Sequence, residues 1–222
     1  MEIIKPWIMV ENYNPKKISK NIERACRTCY RSENLINEDS YKTLLRNCIN
    51  RGHESILEHE KVTVRIKCDI GFYKDITRHR AGTAFSIEST RYCNYSKEKF
   101  GGNIKFIDPV FIEDKESYKI WKKTMEAIEK GYMEMVERGA KPDELRMMLP
   151  HSTAAEITMT CNMREWKHVL ELRCSKMVHP SIRQILIPLL LKFKKDFPEI
   201  FENVPYDEDF PKKWYAKLTI EK

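Results

Sequence analysis

A chain of 222 residues with 41% hydrophobic content can bury a sizeable core, and we read it as one domain over residues 1–222. Forty Lys and Arg against 33 Asp and Glu give a formal charge of +7, which favours an anionic partner, whether nucleotide, nucleic acid or membrane surface, without choosing among them. No run approaches the roughly 18 apolar residues of a membrane span, the opening MEIIKPWIMV is too short and too broken by Lys5 and Pro6 for a signal peptide, and seven cysteines, an odd number, suit a reducing compartment; a cytoplasmic protein is expected.

In chain order, NPKKISKNIERACRTCY reads as a helix after Asn14, and SYKTLLRNCINRG as a second helix between Asp39 and Gly52. The CxxC formed by Cys26 and Cys29 has no second pair behind it, so it reads as buried thiols on an amphipathic helix and not as a zinc or redox site. The period then changes. Val62, Val64, Ile66, Cys68 and Ile70 alternate with polar residues, as in a strand with one buried face. Gly71 ends it, and FYKDITRHR has helical spacing, which puts Arg78, His79 and Arg80 at the end of a short helix. The small and hydroxyl residues from Ala81 to Thr90 read as a ligand-wrapping loop.

NIKFIDP reads as a further strand. A long helix from Glu113 to Arg138 carries Tyr118, Trp121, Met125, Ile128, Tyr132 and Met135 on one stripe, a core-packing pattern, and stops at Gly139. Pro142 opens a short helix that Pro150 closes. Ala155, Ile157, Met159 and Cys161 alternate as a strand. In MREWKHVLELRCS the residues Trp166, Val169, Leu170 and Arg173 share a helix face, so a guanidinium sits on an apolar stripe. There it needs a partner, either a ligand or a structural salt bridge. A final apolar helix, SIRQILIPLLLKFKKDF, contains Pro188 as an expected kink.

These residues support two classes of function. One is an enzyme that grips a phosphorylated small molecule with Arg78, Arg80, Arg91 and Arg173, with His53 or His79 for proton or ring contacts. The other is a nucleic-acid-binding module that adds Tyr92 and Tyr95 as stacking platforms. The basic residues are concentrated in one short segment, which favours a compact ligand.

The order of these clusters resembles one family. TRHR, followed after a short loop by Ser89-Thr90-Arg91-Tyr92, is similar to the signature of the flavin-dependent thymidylate synthases. RGHESILEH, ELRMMLP, NMREWKH and LELR resemble four further family segments in the same order, over roughly residues 20–200. The resemblance implies an α+β fold, a mixed or antiparallel sheet packed with several long helices, assembled as a homotetramer whose sites are shared between subunits. It implies transfer of a one-carbon unit from 5,10-methylenetetrahydrofolate to C5 of dUMP, with FAD as hydride source and NADPH as reductant. Small-molecule substrates, dUMP and folate, are then the expected partners, with no metal, membrane or nucleic acid.

Residue by residue, the resemblance assigns FAD to His53, Ser55, Arg78, His79, Arg80, Asn162, Arg164 and His168. It assigns the nucleotide to Asp75, Arg78, Glu88, Ser89, Thr90, Arg91, Arg146 and Arg173, with Arg173 carrying the chemistry. No cysteine nucleophile is implied. Three features depart from the family pattern: the Arg80–Ser89 loop is one residue longer, Asp75 stands where Gln is usual, and VHPSIRQ replaces the usual segment after Arg173, leaving His179 and Arg183 without an assigned role. They point to a related pyrimidine C5 (hydroxy)methylase on another deoxynucleotide as the alternative.

Overall fold

The computed structural model describes residues 1–221. Its frame is a five-stranded mixed sheet in the order β4 (Thr83–Ile87), β6 (Ala154–Asn162), β3 (Lys61–Asp69), β2 (Trp7–Val10) and β7 (Lys217–Ile220). All pairs are antiparallel except β2 with β7. The long central strands β3 and β6 form as their alternation dictates. Val62, Val64, Ile66 and Cys68 lie opposite Cys161, Met159, Ile157 and Ala155, and all eight are buried. Each large aliphatic side chain so buried contributes about 1.5–3 kcal/mol. The opposite face carries Lys61, Arg65 and Lys67 against Thr158 and Glu156, so only one face has to be covered.

Helices α1 (Pro15–Thr28), α2 (Ser40–Asn50), α6 (Met163–Arg173) and α7 (Pro180–Asp196) supply that cover, sharing one hydrophobic core with the sheet. Asn14 caps α1 by accepting the Lys17 N–H at 3.0 Å, with Pro15 in the first turn. Inside the core Trp166 meets Phe193 edge to face at 5.7 Å and donates its indole N–H to the Val62 carbonyl. Helix α7 runs on through Pro188 into the short α8 (Pro198–Phe201).

A second cluster gathers Tyr95, Ile104, Phe106, Met125, Tyr132 and Leu145. It is built from α4 (Lys115–Glu137), α5 (Pro142–Leu145) and a parallel strand pair, β1 (Glu2–Ile4) with β5 (Lys105–Ile107). On the expected α4 stripe Met125 and Tyr132 are fully buried and the others partly so. The remaining helix, α3 (Ile70–Ile76), follows β3 directly, because Asp69 caps it by accepting the Phe72 N–H at 2.7 Å.

The α+β class and the mixed sheet stand as expected, with three corrections. The segment from Ala81 to Thr90 is not an open loop, since its middle forms edge strand β4, whose Phe85 and Ile87 pack on the core. Helix α3 stops at Ile76, so the Arg-His-Arg group lies beyond it. The CxxC is split: Cys26 is buried with its Sγ 3.4 Å from that of Cys48, while Cys29 is exposed. No helix among the described residues is long and apolar enough to cross a membrane.

Candidate active site

The Arg-His-Arg segment is held between the end of α3 and the start of α6. Arg78 and Arg80 are exposed, with no ion pair among the described residues, whereas His79 turns inward and is 7% exposed. Asn162 organises the junction. Its side chain caps α6 by accepting the Glu165 N–H at 2.8 Å, and its own N–H donates to the Gly82 carbonyl at 3.0 Å. Gly82 has φ +61°, and a Cβ there would lie 2.1 Å from Asn162 Nδ2. Only glycine fits this approach.

Behind the junction lies a line of three side chains. Arg173 donates from Nε to His79 Nε2 at 3.0 Å and from Nη2 to the Asp75 carbonyl at 3.0 Å. His79 Nδ1 is 3.2 Å from Glu165 Oε1. Burial first, then the charge of Arg173 and the proximity of His168, pull the His79 pKa down from 6.5 to about 4, so the ring is neutral at pH 7. Burial raises the Glu165 carboxyl, against the pull of His168 and Arg164. The ring of His168, on the exposed side of α6, is 5.7 Å from that of His79. No carboxylate pairs directly with Arg173 among the described residues, so the partner its apolar stripe demanded is a neutral ring and a carbonyl, and not a structural salt bridge.

The 3-10 turn Glu54–His59 faces α6, and between them and Gly82 is a cavity of about 520 Å³. His53 and Ser55 are exposed at this turn. Arg164 pairs with Glu58, and Lys167 reaches Glu54 at 2.8 Å. The structure therefore gathers His53, Ser55, Arg78, His79, Arg80, Asn162, Arg164, His168 and Arg173 on the α3–α6 side of the sheet.

The remaining predicted residues except Asp75 lie towards the far end of β4, a five-residue strand that spans about 17 Å. Ser89, Thr90 and Arg91 follow it. Arg91 donates to Asp143 at 3.0 Å, an exposed pair, and Asp143 lies in α5, which leads directly into the 3-10 turn Arg146–Met148. Glu88 is engaged internally: its carboxylate accepts from Lys67 at 3.2 Å, the Tyr95 hydroxyl at 3.1 Å and the Glu156 N–H at 3.1 Å. Asp75 gives its carbonyl to Arg173, and the residue also lines a separate cavity of about 410 Å³ beside Phe111 and His179.

Two residues of the cluster escaped the sequence reading, Glu165 and Gly82. The Asn162-x-x-Glu165 spacing at a helix start was the available signal for the first.

Fold and site together define an α+β protein with six guanidiniums in the candidate site, of which Arg78, Arg80, Arg146 and Arg173 have no carboxylate partner among the described residues, an arrangement suited to anionic ligands. Residues 10–199 match the family described as Thymidylate synthase complementing protein, and the chain belongs to that family. A flavin-dependent thymidylate synthase from Pyrococcus abyssi is 34% identical over 162 residues, and one from Pyrococcus furiosus 32% identical. Each match covers 72% of this chain and 65% of the relative, so the chain spans about 65% of the length of these curated relatives. Among solved structures, a UMP/dUMP methylase from Streptomyces cacaoi bound with 5-Br dUMP superposes with a TM-score of 0.75 at 19% identity, covering 91% of this chain and 96% of that one. Thymidylate Synthase X from Helicobacter pylori with FAD and dUMP gives 0.71 at 20% identity, covering 90% and 98%. At those identities the common property is the fold.

Proposed function

We propose that this protein is a flavin-dependent thymidylate synthase that converts dUMP to dTMP with 5,10-methylenetetrahydrofolate as one-carbon donor, FAD as cofactor and NADPH as reductant. The observation that carries the reading is Arg173, a half-buried guanidinium fixed by a neutral ring and a carbonyl, with no carboxylate paired to it among the described residues. Making C5 of uracil nucleophilic builds negative charge on the N3–C4–O4 edge. A fixed cation stabilises that charge more in the transition state than in the ground state.

The residues fit FAD. Exposed Arg78 and Arg80, without an ion pair among the described residues, suit a pyrophosphate, and Gly82, against which the Asn162 side chain packs, lines the cavity between the Glu54–His59 turn and α6. His53, Ser55, His79, Asn162, Arg164 and His168 complete the proposed cofactor side. When bound, FAD supplies the hydride that completes the reduction of the transferred carbon to a methyl group. On the nucleotide side Ser89, Thr90, Arg91 and Arg146 would hold the phosphate. Arg91 can leave Asp143 readily, because exposed ion pairs are worth about 0–1 kcal/mol. Two ligand-binding sets at opposite ends of β4 favour a homotetramer in which each site draws on more than one subunit.

The internal engagement of Glu88 and the carboxylate at Asp75 favour a second reading, a C5 (hydroxy)methylase on another pyrimidine deoxynucleotide. One experiment tests both. Purified protein should carry a flavin absorption band and form dTMP from dUMP, methylenetetrahydrofolate and NADPH without air. Arg173→Ala should stay yellow but turn over about a hundred- to a thousandfold more slowly, a loss of roughly 3–4 kcal/mol. Arg173→Lys should rescue little, since an ammonium lacks two parallel donors. Near-normal turnover in the Ala variant, or flavin lost in step with turnover, overturns the role of Arg173. Turnover confined to another pyrimidine nucleotide selects the second reading.

A further inference from the structure

Glu165 is 9% exposed, and its carboxylate has one hydrogen-bonding partner among the described residues, the ring of His79. A buried carboxylate with no Lys or Arg in direct contact is costly to keep. Its position, third after the cap Asn162, would ordinarily let its side chain reach back to the cap's backbone N–H. That N–H is already given to the Gly82 carbonyl, and the Glu165 side chain turns to His79 instead. Helix capping therefore does not explain it.

The hydrogen-bond bookkeeping of the imidazole does. Arg173 Nε can only donate, so His79 Nε2 must present a lone pair. A neutral ring that accepts at Nε2 carries its proton on Nδ1, and Glu165 Oε1 is the acceptor for that proton. Without the carboxylate, the proton could sit on Nε2 and face the Arg173 N–H, two donors meeting head on. The Asp75 carbonyl holds a second edge of the guanidinium. Two of its five N–H donors are thus spent on position and three stay free for a ligand.

We propose that Glu165 is a positioning residue for Arg173. Acting through His79, it sets the ring tautomer that pins the guanidinium with its free donors in place for the pyrimidine edge. The inference rests on the reading of Arg173 given above for its catalytic consequence, while the tautomer itself belongs to the ligand-free protein. Of the other charged groups of the cavity, Arg164 pairs with Glu58 and Lys167 with Glu54 and Glu171, while His168 stands close to both His79 and Glu165 without a hydrogen bond to either among the described residues.

The test is 15N NMR on ligand-free protein at neutral pH. His79 should be the Nδ1–H tautomer, and the Arg173 Nε–H should give a resolved signal. In Glu165→Gln, whose amide oxygen can still accept, both should persist. In Glu165→Ala the tautomer should become mixed and the Arg173 Nε–H should exchange with solvent about tenfold faster, the loss expected for one hydrogen bond. Glu171→Ala, six residues further on and on the exposed side of α6, should change neither. In turnover, Glu165→Ala should lower kcat about ten- to a hundredfold with flavin affinity retained, the effect of misplacing a reacting group, and Glu165→Gln should recover most of it.

An Nε2–H tautomer in the wild-type protein overturns the proposal without any variant. So does a folded Glu165→Ala protein in which tautomer and exchange are unchanged. A wild-type protein that forms no methylated nucleotide would sink the enzymatic reading, while the NMR result decides the positioning separately.

Discussion

His79 has no room for a second proton. One ring nitrogen faces an N–H of Arg173 and the ring is buried, so its folded pKa lies near 4 against 6.5 for a free histidine. In the unfolded chain this residue takes up its proton first as pH falls. Its contribution to stability is therefore present above about pH 6.5 and is lost as pH drops towards 4, by up to about 3 kcal/mol. Glu165, whose carboxyl is raised by burial, acts in the opposite sense and is common to the two proteins compared. We expect His79→Gln, which can still accept from Arg173 and donate to Glu165, to remove this slope. Urea unfolding of both proteins at pH 7 and pH 4.5 checks it: parallel losses would mean that His79 titrates normally. At this scale the sequence was informative about which residues gather, since the Arg-His-Arg group and Arg173 did meet. It said nothing of the Glu165 contact, because a carboxylate on an amphipathic helix looks solvated until the neighbouring loop is in place.

At the scale of elements, the junction of β4 with α6 is the tightest point of the site. Gly82 in the left-handed region, with Asn162 Nδ2 where its Cβ would stand, predicts a specific non-additivity. Gly82→Ala should destabilise by about 1–3 kcal/mol, from backbone strain and the collision. Asn162→Ala should lose about 1 kcal/mol with the α6 cap. The double variant relieves the collision and should be more stable than the sum of the two losses by at least about 0.5 kcal/mol. Thermal melts of the four proteins measure it, and strict additivity would place the cost elsewhere. The strand β4 itself was legible in principle, for Phe85 and Ile87 alternate with Ala84 and Ser86. Small and hydroxyl residues masked that period because an edge strand needs only one weakly apolar face. The long segments, α4, α7, β3 and β6, were read correctly because each repeats its period several times.

At the scale of the molecule, the sheet is completed by partners far apart in sequence, β2 near residue 8 and β7 near residue 218. Neither short strand announced itself, since four residues hold only two periods. Removal of residues 217–222 should bare the β2 edge and strip cover from Ile8 and Val10. A melting temperature lower by several degrees and light scattering at micromolar concentration are the expected results. An unchanged, monodisperse protein would make β7 dispensable.

The same pairing sets a timetable for synthesis. A ribosome adds about 5 to 20 residues per second, so roughly 200 residues, or some 10 to 40 seconds, separate the emergence of β2 from that of the strand that closes it. During that interval the nascent chain presents an open sheet edge among its neighbours on the same message. Slow translation or a halt before residue 217 would lengthen the exposure, and a chaperone that binds extended apolar segments would find its substrate there, before any ligand could.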